Sequence, residues 1–165
     1  MSELTLAHRS FRRRLNLELG GKAVEDYEGS FGVVRNRPIL EMRYQSRTLI
    51  RTDGDGSLSI GQEVYRDSPR LRHGFFSGVR ELRSDTSSIR IANTSKGFAL
   101  GHSQQFEAIV NFRPHVLSTN TTRRYGLIPS LSASLVLMDD EGWTELSVGL
   151  LCYVWISEYE RMLPT

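Results

Sequence analysis

From residue 31 onward, short β-prone runs recur about every ten residues, separated by Gly, Asn, Asp and Ser. Spacing that tight leaves no convincing helix of three turns after residue 25, and it excludes a parallel α/β enzyme fold, which needs helices between its strands. The expected strands are 30–35, 39–52, 58–65, 71–82, 87–93, 105–112, 131–138 and 143–159. In 105–112 the apolar Phe106, Ala108, Val110 and Phe112 alternate with Glu107 and Asn111, so one face meets a core and the other is largely polar. This predicts a mainly β chain, either an antiparallel sandwich or a small barrel, with a short basic N-terminal arm. At 165 residues, 39% of them hydrophobic, the chain suffices for one domain with one core. The division is residues 1–20 as basic arm or first strand and 21–165 as a single β domain.

The segment 4–19 supports two readings. Leu4, Phe11, Leu15 and Leu19 recur at helical spacing, which beside three arginines would suit an interfacial membrane helix. Leu15, Leu17 and Leu19 alternate with Asn16 and Glu18 as in a strand, and this is the preferred reading, with the strand over 11–19. The run 148–156 (VGLLCYVWI) is apolar on both faces and reads as a central strand covered on both sides. Large aromatics concentrate at subunit contacts, so Tyr153 and Trp155 are also candidates for self-association. Nine apolar residues fall short of the roughly 20 that a membrane-crossing helix needs, and the first residues do not resemble a signal peptide.

Charge is unevenly distributed. Net charge is +2, yet 19 of 21 basic residues are arginine, whose planar fork of donors suits phosphate and carboxylate partners. Arg9, Arg12, Arg13 and Arg14 face only Glu3 within residues 1–14, and residues 66–90 hold six arginines against three acids. From Asp139 onward six carboxylates oppose Arg161 alone. Opposite charges on one chain can attract between copies, head to tail, or neutralise each other within one molecule. Arg66, Arg70 and Arg72 lie close to Phe75 and Phe76, a combination that serves single-stranded nucleic acid.

Signatures of catalysis are missing. The segment 53–60 (DGDGSLSI) resembles a calcium loop, but aligning Gly56 with the obligatory glycine puts Arg51 and Gln62 where carboxylates belong, so a hairpin turn explains it better. His8, His73, His102 and His115 stand apart, without a partner at zinc spacing. There is no nucleophile elbow, and GFALG at 97–101 lacks the Lys-Ser/Thr of a phosphate loop. Cys152 sits in the most apolar segment as a small core residue, and a single cysteine points to a reducing compartment. Asp139, Asp140 and Glu141 beside Gly142 read as a solvated turn. The expectation is no enzyme, no metal and no cofactor.

The strings NFRPH at 111–115 and RRY at 123–125, then an alternating strand over 130–138 closed by DDE at 139–141, resemble the central part of rhabdovirus matrix proteins of the plant-infecting type. The resemblance spans about residues 106–141. It implies a small antiparallel β protein that self-associates, condenses the viral ribonucleoprotein and holds it beneath an anionic membrane as a peripheral partner. Arg9, Arg12, Arg13 and Arg14 stand where the family's cationic membrane-binding tail would be. The setting it implies is the virion and host cytoplasm, with membrane association. The alternative is an RNA-binding viral β protein, either a jelly-roll capsid or a movement or silencing-suppressor protein.

Overall fold

The computed structural model describes residues 2–8, 13–35, 37–53, 56–67, 79–95, 103–124, 128–137 and 142–162. In chain order the strands are β1 (Ser2–His8), β2 (Arg14–Leu19), β3 (Lys22–Ala23), β4 (Tyr27–Val34), β5 (Arg37–Tyr44), β6 (Arg47–Asp53) and β7 (Ser57–Ile60). They continue with β8 (Glu63–Asp67), β9 (Val79–Arg83), β10 (Ser88–Asn93), β11 (Ser103–Val110), β12 (Arg113–Arg124) and β13 (Ile128–Leu137), before helix α1 (Glu145–Met162). Every pairing is antiparallel, and strands from β4 to β13 each neighbour the next in the chain. β1 then pairs with both β13 and β2, and β2 pairs with β4, so twelve strands close into a barrel with β3 as a short addition on β2.

Of the two expected architectures the barrel is the one observed. Its up-and-down order lacks the Greek-key crossings of a jelly roll. The short basic arm is corrected: residues 2–8 form β1, whose register of Leu4 to Leu135 and Leu19, and Leu6 to Ala133 and Leu17, closes the circuit. Alternation explains the inclusion, since Leu4 and Leu6 point inward and are fully buried while Glu3 and Thr5 face out. The helical reading of 4–19 falls with it. β12 was not anticipated; it begins at Arg113, where the two-residue turn Asn111-Phe112 reverses the chain with positive φ at both residues.

The largest correction concerns 143–159. This segment is not a strand but helix α1, and its residues 147–158 are buried on every side. It packs against β1, β5, β6, β7, β12 and β13, elements spread around the circuit, so it runs through the inside of the barrel. Twelve strands about 4.8 Å apart and tilted about 40° make a circumference of about 75 Å and a backbone radius of about 12 Å. Side chains alone do not fill that lumen; a helix about 10–12 Å across does. A helix so enclosed must be apolar all round, which is why the sequence carries no amphipathic period there.

Local chemistry starts and secures the helix. The Thr144 N–H donates to Ser147 Oγ at 3.1 Å, one half of a capping box over the first turn. Trp155 Nε1 donates to the Leu131 carbonyl at 2.9 Å, and Ser157 Oγ donates to the Tyr153 carbonyl at 2.7 Å. Arg80 Nη1, reaching inward from β9, donates to Tyr153 Oη at 3.1 Å. Burial pushes the Tyr153 hydroxyl's pKa upward while Arg80 opposes the shift, and burial holds the Cys152 thiol far above its usual range. Cys152 is thus an inert core residue.

The helix lies tight against the wall at Gly149, where a Cβ would lie 2.5 Å from Ile60 Cδ1 and 2.9 Å from Ile60 Cγ1. Gly149→Val should therefore cost about 2 kcal/mol of unfolding free energy by overpacking, read as a lowered urea midpoint. Adding Ile60→Ala should recover part of that loss. A double variant no more stable than Gly149→Val alone would show that the helix does not lie against β7.

Candidate functional site

Because the strands run up and down, the barrel has two ends of different chemistry. At the end where α1 begins lie the turns Gly20-Gly21, Gln45-Ser46, Gly61-Gln62, Ser84 to Ser87, and Asn111-Phe112. At the end where α1 stops lie the start of β2 and the hairpin tip between β4 and β5. We call these the N-end and the C-end after the helix.

The C-end carries the candidate site. Arg13 immediately precedes β2; its carbonyl accepts the Phe31 N–H at 3.1 Å, and its guanidinium passes over Gly32, where no side chain obstructs it. Arg14 pairs across the strands with Ser30, and Arg37 pairs with Val34 beside the turn residue Arg35. All four arginines are exposed, and Val33 and Val34 are exposed with them. Among the described residues of this end, Glu160 is the one exposed carboxylate. Beneath the rim an aromatic stack fixes the backbone: Phe31 lies 5.2 Å from His8, 4.8 Å from Trp155 and 5.0 Å from Tyr159. The result is a row of cations on a rigid base, suited to a run of phosphates.

The expected binding residues divide. Arg13 and Arg14 are exposed on the rim. Arg9, Arg12, Arg70 and Arg72 lie outside the described residues, as do Phe75 and Phe76. Arg66 is exposed but elsewhere: β2 and β8 are five strand steps apart, about 24 Å around the wall. It stands directly across from Arg83, which binds Glu81 at 2.7 Å. Both border a cleft of about 620 Å³. Within the cleft Glu63 accepts from Ser84 Oγ at 2.6 Å and Thr86 Oγ1 at 2.7 Å. Those hydroxyls hold its carboxyl below the ordinary glutamate range. Arg35 and Arg37 were not singled out, although Arg-Asn-Arg between two β-prone runs marks a hairpin tip that must project.

Tyr153 and Trp155 are corrected as self-association residues. Tyr153 is 0% exposed and Trp155 1%, both inside the barrel, where no second copy reaches them. Among the described residues no three His, Cys, Asp or Glu side chains gather as metal ligands, and no helix is long and apolar enough to cross a membrane. Comparison with protein-family models, with curated proteins and with solved structures returns no match. Function therefore rests on the geometry above.

Trp155→Ala separates a core role from an interface role. It should cost about 3–5 kcal/mol of stability, as for other large-to-small core changes, while the sedimentation coefficient of the folded fraction stays that of the parent. Dissociation of an assembly without loss of stability would contradict this placement.

Proposed function

We propose that this chain is a non-catalytic structural protein of the matrix type, which self-associates and binds viral nucleoprotein and anionic membrane, acting in the virion and host cytoplasm. The observation that carries the reading is the C-end rim, where Arg13, Arg14, Arg35 and Arg37 are exposed with Glu160 as the one exposed carboxylate among the described residues. Phosphates of RNA or of lipid headgroups are the polyanions such a rim accommodates. Occupation of the barrel interior by α1 favours the same reading, because the space where a barrel of this girth could hold a substrate is filled by the chain itself. Membrane contact through the rim is peripheral and electrostatic, and so is sensitive to salt.

Replacing Arg13, Arg14 and Arg35 together by Ala should weaken binding to single-stranded RNA and to anionic vesicles. The slope of log affinity against log salt for RNA should flatten by about 2, at roughly 0.7 per lost phosphate contact. Each exposed substitution should change stability by less than about 0.5 kcal/mol. Fluorescence anisotropy and vesicle co-sedimentation across a salt series provide the measurement. Unchanged affinity and slope for both ligands would reject the reading.

A further inference from the structure

One strip of the outer wall is apolar where strand alternation would place polar side chains. Ile109 on β11, Pro114 and Val116 on β12, and Val136 on β13 are exposed on three adjacent strands. Ile109 stands directly across from Pro114, while Val116 and Val136 lie one residue beyond the paired Leu117 and Leu135, on the outward side of the pleat. At the tip of the β11–β12 hairpin Phe112 is 100% exposed with φ of 65°. Turns of this geometry favour Gly at that position because a side chain is strained there, so Phe112 costs backbone energy and stays wholly in solvent. With the four wall residues it presents about 450 Å² of apolar surface, within the roughly 300–600 Å² of the largest patch on a typical monomer, a patch that is often functional.

Charge borders this strip with opposite sign on its two flanks. Arg90 on β10 is exposed directly across from Ile109, and Glu3 on β1 is exposed directly across from Val136. Neither forms an ion pair with another described residue. Glu107, half-buried on β11, lies diagonal to Arg90 and across from Val116. An anionic surface laid on the strip would meet Glu3 and Glu107 as well as Arg90. A second copy of the chain instead meets each flanking charge with its opposite. The strand order β10-β11-β12-β13-β1 is centred on β12, so a two-fold axis lying in the contact along β12 sets β10 of one copy against β1 of the other, and β11 against β13.

We infer that the chain forms a closed two-fold dimer through this strip, with Pro114 and Val116 at the axis, Ile109 against Val136 of the second copy, and Arg90 against its Glu3. The rows holding Arg90 and Glu3 are offset by two residues, about 7 Å along the strands, which a crossing of the two walls absorbs. Convex walls part toward the flanks, and the long Arg90 and Glu3 side chains are the ones placed there. Their polar margin added to the apolar centre makes about 800 Å² per copy, the size of a specific interface. Because the axis runs along β12, both hairpin tips lie at one end of it with their Phe112 rings side by side, and both arginine rims fall on the same side of the dimer. A long polyanion then engages two rims at once, which raises affinity without any new kind of contact. This inference rests on the proposed function for the claim that copies associate, and it assigns that association a surface and a consequence.

Sedimentation equilibrium provides the test, with the parent expected to be dimeric at micromolar concentration. Val116→Lys sets like charges against each other at the axis and should weaken the dimer by on the order of 100-fold. Glu3→Arg and Arg90→Glu should each weaken it by about tenfold, and the two combined in one chain should restore it, because every flanking pair is then opposite again. Phe112→Gly should raise the melting temperature yet weaken association by about tenfold. The Val116→Lys monomer should bind a short single-stranded RNA as the parent does and a long one at least about tenfold more weakly. The inference is overturned by a monomeric parent, including one that collects on anionic vesicles through Phe112 instead. It is equally overturned by a Val116→Lys protein that remains dimeric, by a double charge exchange that stays as weak as the single ones, or by association indifferent to Phe112→Gly. RNA or vesicle binding by a monomeric parent sinks the dimer alone, whereas a dimer that binds neither RNA nor vesicles sinks the matrix-type function alone.

Discussion

Burial of α1 inside the barrel is the interaction on which the rest depends. A twelve-stranded wall has an inner surface too wide for its own side chains to meet across, so without a filling the inward Leu, Ile and Phe residues would line a void or water. The helix supplies that filling: Val148, Leu150, Leu151, Val154 and Ile156 are each 2% exposed or less, distributed over its whole circumference. Its own propensity is modest, with Gly149 and three β-branched residues within nine positions. The helix is thus stabilised by the barrel, and the barrel's interior by the helix. Such mutual dependence argues for one cooperative unit, in which the last element of the chain completes the packing of all earlier ones.

Closure is the second constraint. A sheet of this length left open would expose two edges, each a template for pairing with other chains. β1 removes both at once by pairing with β13 on one side and β2 on the other. Among the described residues the circuit itself has no edge, and the two-residue β3 on β2 is the one strand left with a free side, so strand addition is a poor means of self-association. The side-chain hydrogen bond between Thr5 and Ser134 lies on the outer face of this seam, where it adds a polar cross-strand link to the backbone ladder.

How much of this was legible in the residues depends on whether an element's surroundings differ from one side to the other. β11 was read nearly to its boundaries because one face meets the core and the other water, so its sequence alternates. β5 and β6 were read as one run, since Gln45-Ser46 lacks the glycine that announces a tight turn even though both residues adopt positive φ. β1 was passed over because its alternation is short and precedes a cluster of arginines that invites the idea of a tail. α1 was misread as a strand because an environment that is apolar in every direction erases periodicity, and only length then distinguishes a buried helix from a buried strand. Of the candidate site, Arg13 and Arg14 were legible from charge density, whereas Arg35 and Arg37 needed the topology that brings the β4–β5 tip beside the start of β2. The separation of Arg66 from that rim was not legible at all, because chain order says nothing of how far around a barrel two strands sit until the circuit is known.

The direction of the helix ties the fold to its electrostatics. α1 carries Glu145 in its first turn and stops near the arginine rim, so a carboxylate sits by the partial positive charge of its start and guanidinium groups face the partial negative charge of its end. Reversing either charge would place like charge against the helix terminus, so this arrangement is favourable at both. The half-unit charges of the helix are too small to cancel four exposed guanidinium groups, and they lie within the wall while the arginines stand outside it. What remains is a rim where exposed arginines outnumber exposed carboxylates among the described residues. An excess that folding does not consume is available for binding, and it sits at one end of the barrel. Polyanions attracted by it are therefore directed to that end rather than to the wall, where Glu41 lies between Arg43 and Arg51, each 3.9 Å away, and much of the charge is already locally offset.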